Sequence, residues 1–337
     1  MHTITHPWQR PLQIGPVAIA NRVFLAPMSG VTDLPFRKLA ATFGAGLVVT
    51  EMVASRELVT DSRESWARLR SAGMKPHVVQ LAGREPHWMA EAAKIAEAEG
   101  ADIIDINMGC PAKKVTGGYS GSALMRDPER AIAMIEATVK AVSVPVTLKM
   151  RLGWDDANLN AADLGRAAVS AGVAMITVHG RTRCQFYEGR ADWEAVARVR
   201  ERIDDVPFVA NGDVTTLDDV AACLSVTGAD AVMIGRASQG RPWLCGELAG
   251  SAAAPASRAV KVETAIAHYE MMIDHYGADV GVRHARKHLG WYLAELAPSA
   301  PPDLKAALMT TKEPETASRL FAEALAQGAT HEIGEAA

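Results

Sequence analysis

The sequence predicts an α/β protein, a (β/α)8 TIM barrel followed by a small all-α helical domain. Three observations carry that expectation. Eight short apolar runs recur up to Ile234, helical patterns lie between them, and a shift in composition then opens a purely helical remainder. The 337 residues suffice for one barrel and a smaller appended unit.

The runs are Val23–Ala26, Leu47–Glu51, Val78–Leu81, Ile103–Asn107, Val146–Met150, Met175–His179, Pro207–Ala210 and Ala231–Ile234. Most are continuous rather than alternating, as suits parallel strands covered on both faces. Helical patterns occupy Leu34–Phe43, Glu85–Gly100, Asp127–Val142, Asp163–Gly172, Asp192–Ile203 and Thr216–Gly228. Glu85–Gly100 is Ala-rich and stops at a glycine, and Asp127-Pro-Glu is a good helix start. A doubly wound open sheet is the rival architecture; the strand count and the polar residues at strand ends favour the barrel. Gly250–Ser257 is rich in Ala and Ser and reads as a linker. Beyond it Ala259–Gly277 and Val280–Leu296 are helical, Ser299–Asp303 interrupts, and Leu304–Gln327 is helical in pieces. The expected division is 1–250 for the barrel and 257–330 for the helical domain.

Apolar residues make up 49% and charged residues 22%, ordinary for a soluble globular protein. No apolar run has the length of a membrane span, and the N-terminus does not read as a signal peptide, so a cytoplasmic protein without membrane association is expected. Cys110, Cys184, Cys223 and Cys245 form no C-x-x-C pair and no zinc spacing; they read as free thiols, and no metal is expected. The net charge of −4 gives little support to a nucleic-acid partner, but a local basic face would suffice for one. A monomer without an obligate protein partner is the default.

Active sites of such barrels lie at the C-terminal ends of the strands. That rule selects Pro27, Met28 and Ser29 after the first strand, Gln80 on the third, and Asn107-Met-Gly-Cys110-Pro after the fourth. It also selects Lys149 and Arg151 on the fifth, His179 with Arg181 and Arg183 on the sixth, Asn211-Gly-Asp213 after the seventh, and Gly235-Arg236 after the eighth. Gly212 and Gly235 would let backbone N–H groups approach a phosphate that Arg236 could pair with; the plainer reading is two tight turns. Asp213 suits a hydroxyl or a neighbouring N–H better than a phosphate. Lys149 suggests a Schiff base or stabilisation of a developing anion, or else a lysine reaching for the rim. Cys110 heads the longest interval between strands, with Lys113, Lys114, Gly117, Gly118 and Gly121, which reads as a movable lid carrying a reactive group. A free core cysteine is the bland alternative.

Taken together these motifs resemble the tRNA-dihydrouridine synthases, in particular the bacterial DusB-like branch. The resemblance runs through Ala26-Pro-Met, Asp105-Ile-Asn-Met-Gly-Cys-Pro, Lys149-Met-Arg-Leu-Gly-Trp, His179-Gly-Arg-Thr-Arg, Ala210-Asn-Gly-Asp, Gly235-Arg and Arg283-His-Ala-Arg-Lys-His. It covers nearly the whole chain in order. It implies FMN as cofactor, NADPH as reductant and a D-loop uridine of tRNA as substrate. It also implies that Pro27, Met28, Ser29 and Gln80 line the flavin, that Lys149 and His179 contact its ring or ribityl chain, and that Asn211, Gly212, Asp213, Gly235 and Arg236 hold its phosphate end. Asn107 would bind the uracil and Cys110 would be the proton donor, a thiol of ordinary pKa being mostly protonated at neutral pH.

A base inside folded tRNA must be flipped out to reach such a pocket, and the helical domain is the expected surface for the rest of the RNA. Its span 257–298 balances five basic against five acidic residues, so arrangement must decide. Arg283, Arg286 and Lys287 fall at i, i+3 and i+4 on one face, with His284, His288 and Trp291 on an adjoining stripe. A merely solvated helix face fits the same spacing. Arg181 and Arg183 at the barrel mouth are further candidates for phosphate contacts. Two rivals stay open: a flavin barrel acting on a free pyrimidine, and an inactive RNA-binding relative.

Overall fold

The computed structural model describes residues 6–117 and 119–334; Gly118 of the expected lid, and the side chains of Lys113 and Lys114, lie outside that description. The strands are β1 (Leu12–Ile14), β2 (Val17–Ile19), β3 (Val23–Leu25), β4 (Leu47–Val48), β5 (Val53–Ala54), β6 (Val78–Ala82), β7 (Ile103–Met108), β8 (Val146–Arg151), β9 (Met175–His179), β10 (Phe208–Asn211) and β11 (Ala231–Ile234). From β3 onward they form one nine-stranded sheet in the order β4-β3-β11-β10-β9-β8-β7-β6-β5, every pairing parallel.

β4 and β5 sit at opposite ends of that order yet are two halves of one chain crossing. A parallel bridge between Val49 and Val78 joins them, so the sheet closes on itself with eight staves, the barrel expected. The second stave was expected as one run, Leu47–Glu51. It breaks instead because Thr50 and Glu51 turn their side chains to other work: Thr50 Oγ1 accepts the Gln80 N–H at 2.9 Å, and the Glu51 carboxylate accepts the Gly30 N–H.

The six expected helices of the barrel are present within a few residues of their expected limits. Asp33, Asp127 and Asp192 accept N–H groups of the first turns of Leu34–Thr42, Pro128–Ala141 and Trp193–Arg200. Thr216 and Asp219 form a reciprocal capping box on Leu217–Thr227, which ends at Gly228 in the left-handed region, φ 61°.

The β1–β2 hairpin was not expected; three-residue strands are too short to show a period. Its Leu12, Ile14 and Ile19 pack against Phe24, Leu47, Val49, Val78, Ile103, Met175, Val209 and Ala231, the strand beginnings, and fill the floor of the barrel. Short helices at Ser55–Val59, Arg63–Leu69 and Leu244–Leu248 were likewise not expected.

After turns and bends through 250–257 the chain forms helices Arg258–Tyr276, Ala278–Leu296, Pro302–Thr310 and Pro314–Gly334. They share a core built on Tyr269, Leu289, Tyr292, Leu308 and Phe321, to which the barrel contributes Phe43 and Trp243. No helix among the described residues is long and apolar enough to cross a membrane.

Two glycines separate packing from propensity. A Cβ on Gly246, in the Leu244–Leu248 helix, would overlap the backbone carbonyl of Phe43, which cannot move aside without the end of the preceding helix. Gly290, inside Ala278–Leu296, faces nothing nearer than Met309 at 3.7 Å. Urea denaturation of Gly246→Ala is expected to show a loss of about 1–3 kcal/mol. Gly290→Ala should gain roughly 0.5–1 kcal/mol from helix propensity.

Candidate functional site

The strand ends converge on one cavity of about 760 Å³, a size ordinary for a cofactor or ligand site. Pro27, Met28, Ser29, Gln80, Asn107, Cys110, Lys149, His179, Asn211, Gly212, Asp213, Gly235 and Arg236 all line it. Arg181, Arg183, Arg283, Arg286 and Lys287 do not.

One wall is a relay of hydrogen bonds that starts in the barrel interior. Thr147 Oγ1 and Gln80 Nε2 donate to the two oxygens of Asp105, each at 2.7 Å. The Gln80 carbonyl in turn accepts from Asn107 Nδ2 at 2.6 Å. That fixes the Asn107 amide with its oxygen toward the next loop, where it accepts the N–H groups of Gly109 at 3.2 Å and Cys110 at 3.0 Å. Ser122 closes the loop from the far side, its N–H and hydroxyl both donating to the Cys110 carbonyl, at 3.2 and 2.9 Å. Burial raises the Asp105 pKa to about 6 against the pull of Gln80, Thr147 and Lys149. Asp105 was not singled out for a role, although an aspartate inside an otherwise apolar run was a visible signal.

The Cys110 thiol is pushed up from its ordinary value, chiefly by burial; the Ala112 N–H and then Arg151 and Lys149 pull the other way and do not prevail. A thiol so placed keeps its proton at neutral pH. Lys149 is the one residue of β8 that is not fully buried, because it opens onto the cavity. Its ammonium donates to Asn211 Oδ1 at 3.0 Å, and Asn211 Nδ2 donates to the Met233 carbonyl at 2.8 Å. Burial, with Arg151 adding to it, lowers the Lys149 pKa to about 8. His179 falls well below its ordinary value, by burial first and then by Lys149, Arg151, Arg181 and Arg236, so its ring is neutral near pH 7.

At the other end of the cavity, Asp213 accepts the Ala191 N–H at 2.6 Å, as its expected role of binding a neighbouring N–H allowed. It also pairs with Arg181 at 2.6 Å and with Arg236 at 3.6 Å. Two guanidiniums around one carboxylate leave this end net positive, so the aspartate does not cancel an anion site. Gly212, at φ 123°, leaves room that a Cβ would take from Ala191 at 2.7 Å and from the His179 ring at 3.0 Å. Gly235 differs: nothing lies nearer than 3.9 Å to where a Cβ would be, so its backbone is bare on the cavity side.

The expected RNA contacts need correction. Arg181 is 1% exposed and consumed by Asp213 and by the Glu188 and Gly189 carbonyls, so it cannot meet an RNA phosphate. Arg183 lies over both the Trp154 and Phe186 rings, at 4.7 and 4.6 Å, and braces a loop. His288 is buried at 1% exposure against Phe36, His268 and Trp291, so it belongs to the interior and not to a surface stripe. The basic triad divides. Lys287 reaches toward Gly30 at the barrel mouth, while Arg283, Arg286 and Lys312 line a second cavity of about 470 Å³. Arg286 is partly committed, donating to the Thr311 carbonyl at 3.1 Å.

The chain matches the family described as "Dihydrouridine synthase (Dus)" over residues 24–330. It is 64% identical over 306 residues to the probable tRNA-dihydrouridine synthase of Rhizobium leguminosarum bv. phaseoli, covering 90% of this chain and 96% of that one. It is 46% identical over 335 residues to tRNA-dihydrouridine synthase B of Xanthomonas axonopodis pv. citri, covering 97% of this chain and all of that one (100%). Among solved structures it is similar to one titled "Crystal structure of TcOYE with pHBA", with TM-score 0.54 and 15% identity over 72% of this chain and 92% of that one. That likeness shows the barrel fold alone.

Proposed function

The chain belongs to the dihydrouridine synthase family, and on that premise we propose that it reduces the C5–C6 double bond of specific D-loop uridines in tRNA, using FMN and NADPH. The observation that carries this reading is the pairing, on one cavity wall, of a fixed Asn107 amide with a protonated Cys110 thiol beside the Lys149 ammonium.

The cavity suits FMN on its own chemistry. Gly235 offers bare backbone to a phosphate, Arg236 stands half-exposed beside it, and Arg181 offsets the charge of Asp213. Lys149 and the neutral His179 ring, both lining the cavity, would contact the isoalloxazine or ribityl chain, and Pro27, Met28, Ser29 and Gln80 would line the flavin. Reduced flavin supplies a hydride to C6 of the uracil when bound.

The protein's own part is positioning and proton transfer. Asn107 presents an amide whose orientation Gln80 and Asp105 set, and so holds the uracil edge in one register. The Cys110 thiol gives its proton to C5 and leaves a thiolate, which Lys149 and Arg151 stabilise until solvent restores the proton.

The deciding experiment incubates the purified protein with FMN, NADPH and unmodified tRNA and maps dihydrouridine. Faster oxidation of NADPH with free uridine than with tRNA would overturn the tRNA assignment. The surface that holds the rest of the RNA includes the groove lined by Arg283, Arg286 and Lys312. Arg283→Glu combined with Lys312→Glu is therefore expected to weaken tRNA binding and to lower the slope of log K against log salt by about two phosphate contacts. Unchanged affinity would place the RNA elsewhere.

A further inference from the structure

The loop after β9 is fastened at almost every carbonyl it offers. Arg181 donates to the carbonyls of Glu188 at 3.0 Å and Gly189 at 2.8 Å. Arg151 Nη1 donates to those of Thr182 and Phe186, both at 2.8 Å, and Arg236 to that of Tyr187 at 3.4 Å. The Arg183 guanidinium, laid over Trp154 and Phe186, pins the outer side. Phe186 is held at φ 48°, a left-handed conformation that bulky residues rarely adopt.

Of the side chains this loop exposes, Tyr187 is the aromatic one. Tyr187 lines the cavity and is 51% exposed, among the most exposed large apolar residues of the chain. Its ring centre lies 5.5 Å from the Arg151 guanidinium and 5.0 Å from that of Arg236. Those arginines stand on β8 and just after β11, three staves apart, and both line the same cavity as Tyr187. Both guanidiniums lie over the ring, and half of the residue is still open to water. The fold thus holds an aromatic ring, fastened through its backbone and flanked by cations, at the entrance of its cavity.

We propose that Tyr187 is a stacking platform for the unpaired RNA base that flanks the target uridine. This rests on the tRNA reading above. Flipping a nucleotide out of its stack deprives its neighbour of a partner, and an aromatic face at the rim replaces that partner. The uracil itself must lie deeper, against Asn107 and Cys110, so the ring that meets Tyr187 is one nucleotide away. The face reads no base edge, so it adds affinity without choosing a sequence.

The test uses Tyr187→Ala and Tyr187→Phe in the FMN-loaded protein, with a tRNA transcript carrying 2-aminopurine beside the target uridine. Tyr187→Ala should raise the KM for tRNA between about fivefold and a hundredfold, the range found when a base loses an aromatic partner. It should also leave 2-aminopurine bright in the complex, where the wild type quenches it. Tyr187→Phe, which keeps the ring, should behave as wild type. Reduction of the flavin by NADPH alone, followed by stopped flow, should be unchanged in both. Slower reduction by NADPH, or loss of bound FMN, in Tyr187→Ala would assign the ring to the reductant or the cofactor and overturn the proposal. A wild type that modifies tRNA while Tyr187→Ala does so with unchanged KM overturns this inference alone. A wild type that neither binds nor modifies tRNA overturns the functional reading and this inference with it.

Discussion

Cys110→Ala is expected to abolish dihydrouridine formation, by about 10²- to 10⁴-fold in turnover, while FMN content and tRNA affinity stay at wild-type levels. The thiol has its proton in place at neutral pH, and burial keeps it so by lifting its pKa. Removing it leaves C5 without a donor after hydride arrives at C6. Binding survives because the loop is held through the backbone of residue 110, by Asn107 and Ser122, and not through its sulfur. Single-turnover assays with pre-reduced enzyme would separate the steps: the variant should accept electrons from NADPH normally and fail to pass them to tRNA. The wild-type rate should fall on the alkaline side, first as Lys149 loses its proton near pH 8 and then as pH rises through a thiol pKa above its ordinary value. Full activity in Cys110→Ala would remove the acid role.

Lys149→Met is expected to cost about 10²–10³ in turnover and to weaken FMN binding, because it removes the ammonium that faces charge developing in the cavity. Its effect on folding should have the opposite sign. The Lys149 pKa falls from 10.5 to about 8 in the fold, so the unfolded chain binds more protons between those values and stability rises with pH across that window. At neutral pH the buried ammonium is therefore a burden on the fold. The apoprotein of Lys149→Met should melt no lower than wild type, and thermal denaturation at pH 7 checks it. A large drop in Tm would show that Lys149 holds the barrel together through Asn211.

The barrel was legible because continuous apolar runs alternated with capped helices, and strand-end geometry then selected the cavity residues from Pro27 to Arg236 without reference to any relative. What stayed hidden depends on contacts between loops. Arg181 looked like a free cation at a strand end; its partner Asp213 lies 32 residues further on, and nothing local announces the pair. Arg283, Arg286 and Lys287 share a helix face by spacing. The tertiary packing sends Lys287 toward Gly30 and the other two toward Lys312. His288 carried the same periodicity as a surface stripe and fell inside because the barrel's own Phe36 covers it. Tyr187 had a faint signal, an aromatic between Arg183 and Gly189 after a strand, but its exposure follows from three arginines drawn from different staves.

The hairpin at the start of the chain has a consequence beyond packing. By filling the floor with Leu12, Ile14 and Ile19 it closes the barrel at the end away from the cavity. On the proposed function, a nucleotide reductant and a folded RNA would then share the mouth and visit in turn, each leaving before the other enters. An excess of one visitor would slow the other, and the time for which the mouth stands empty would set how fast the two half-reactions alternate.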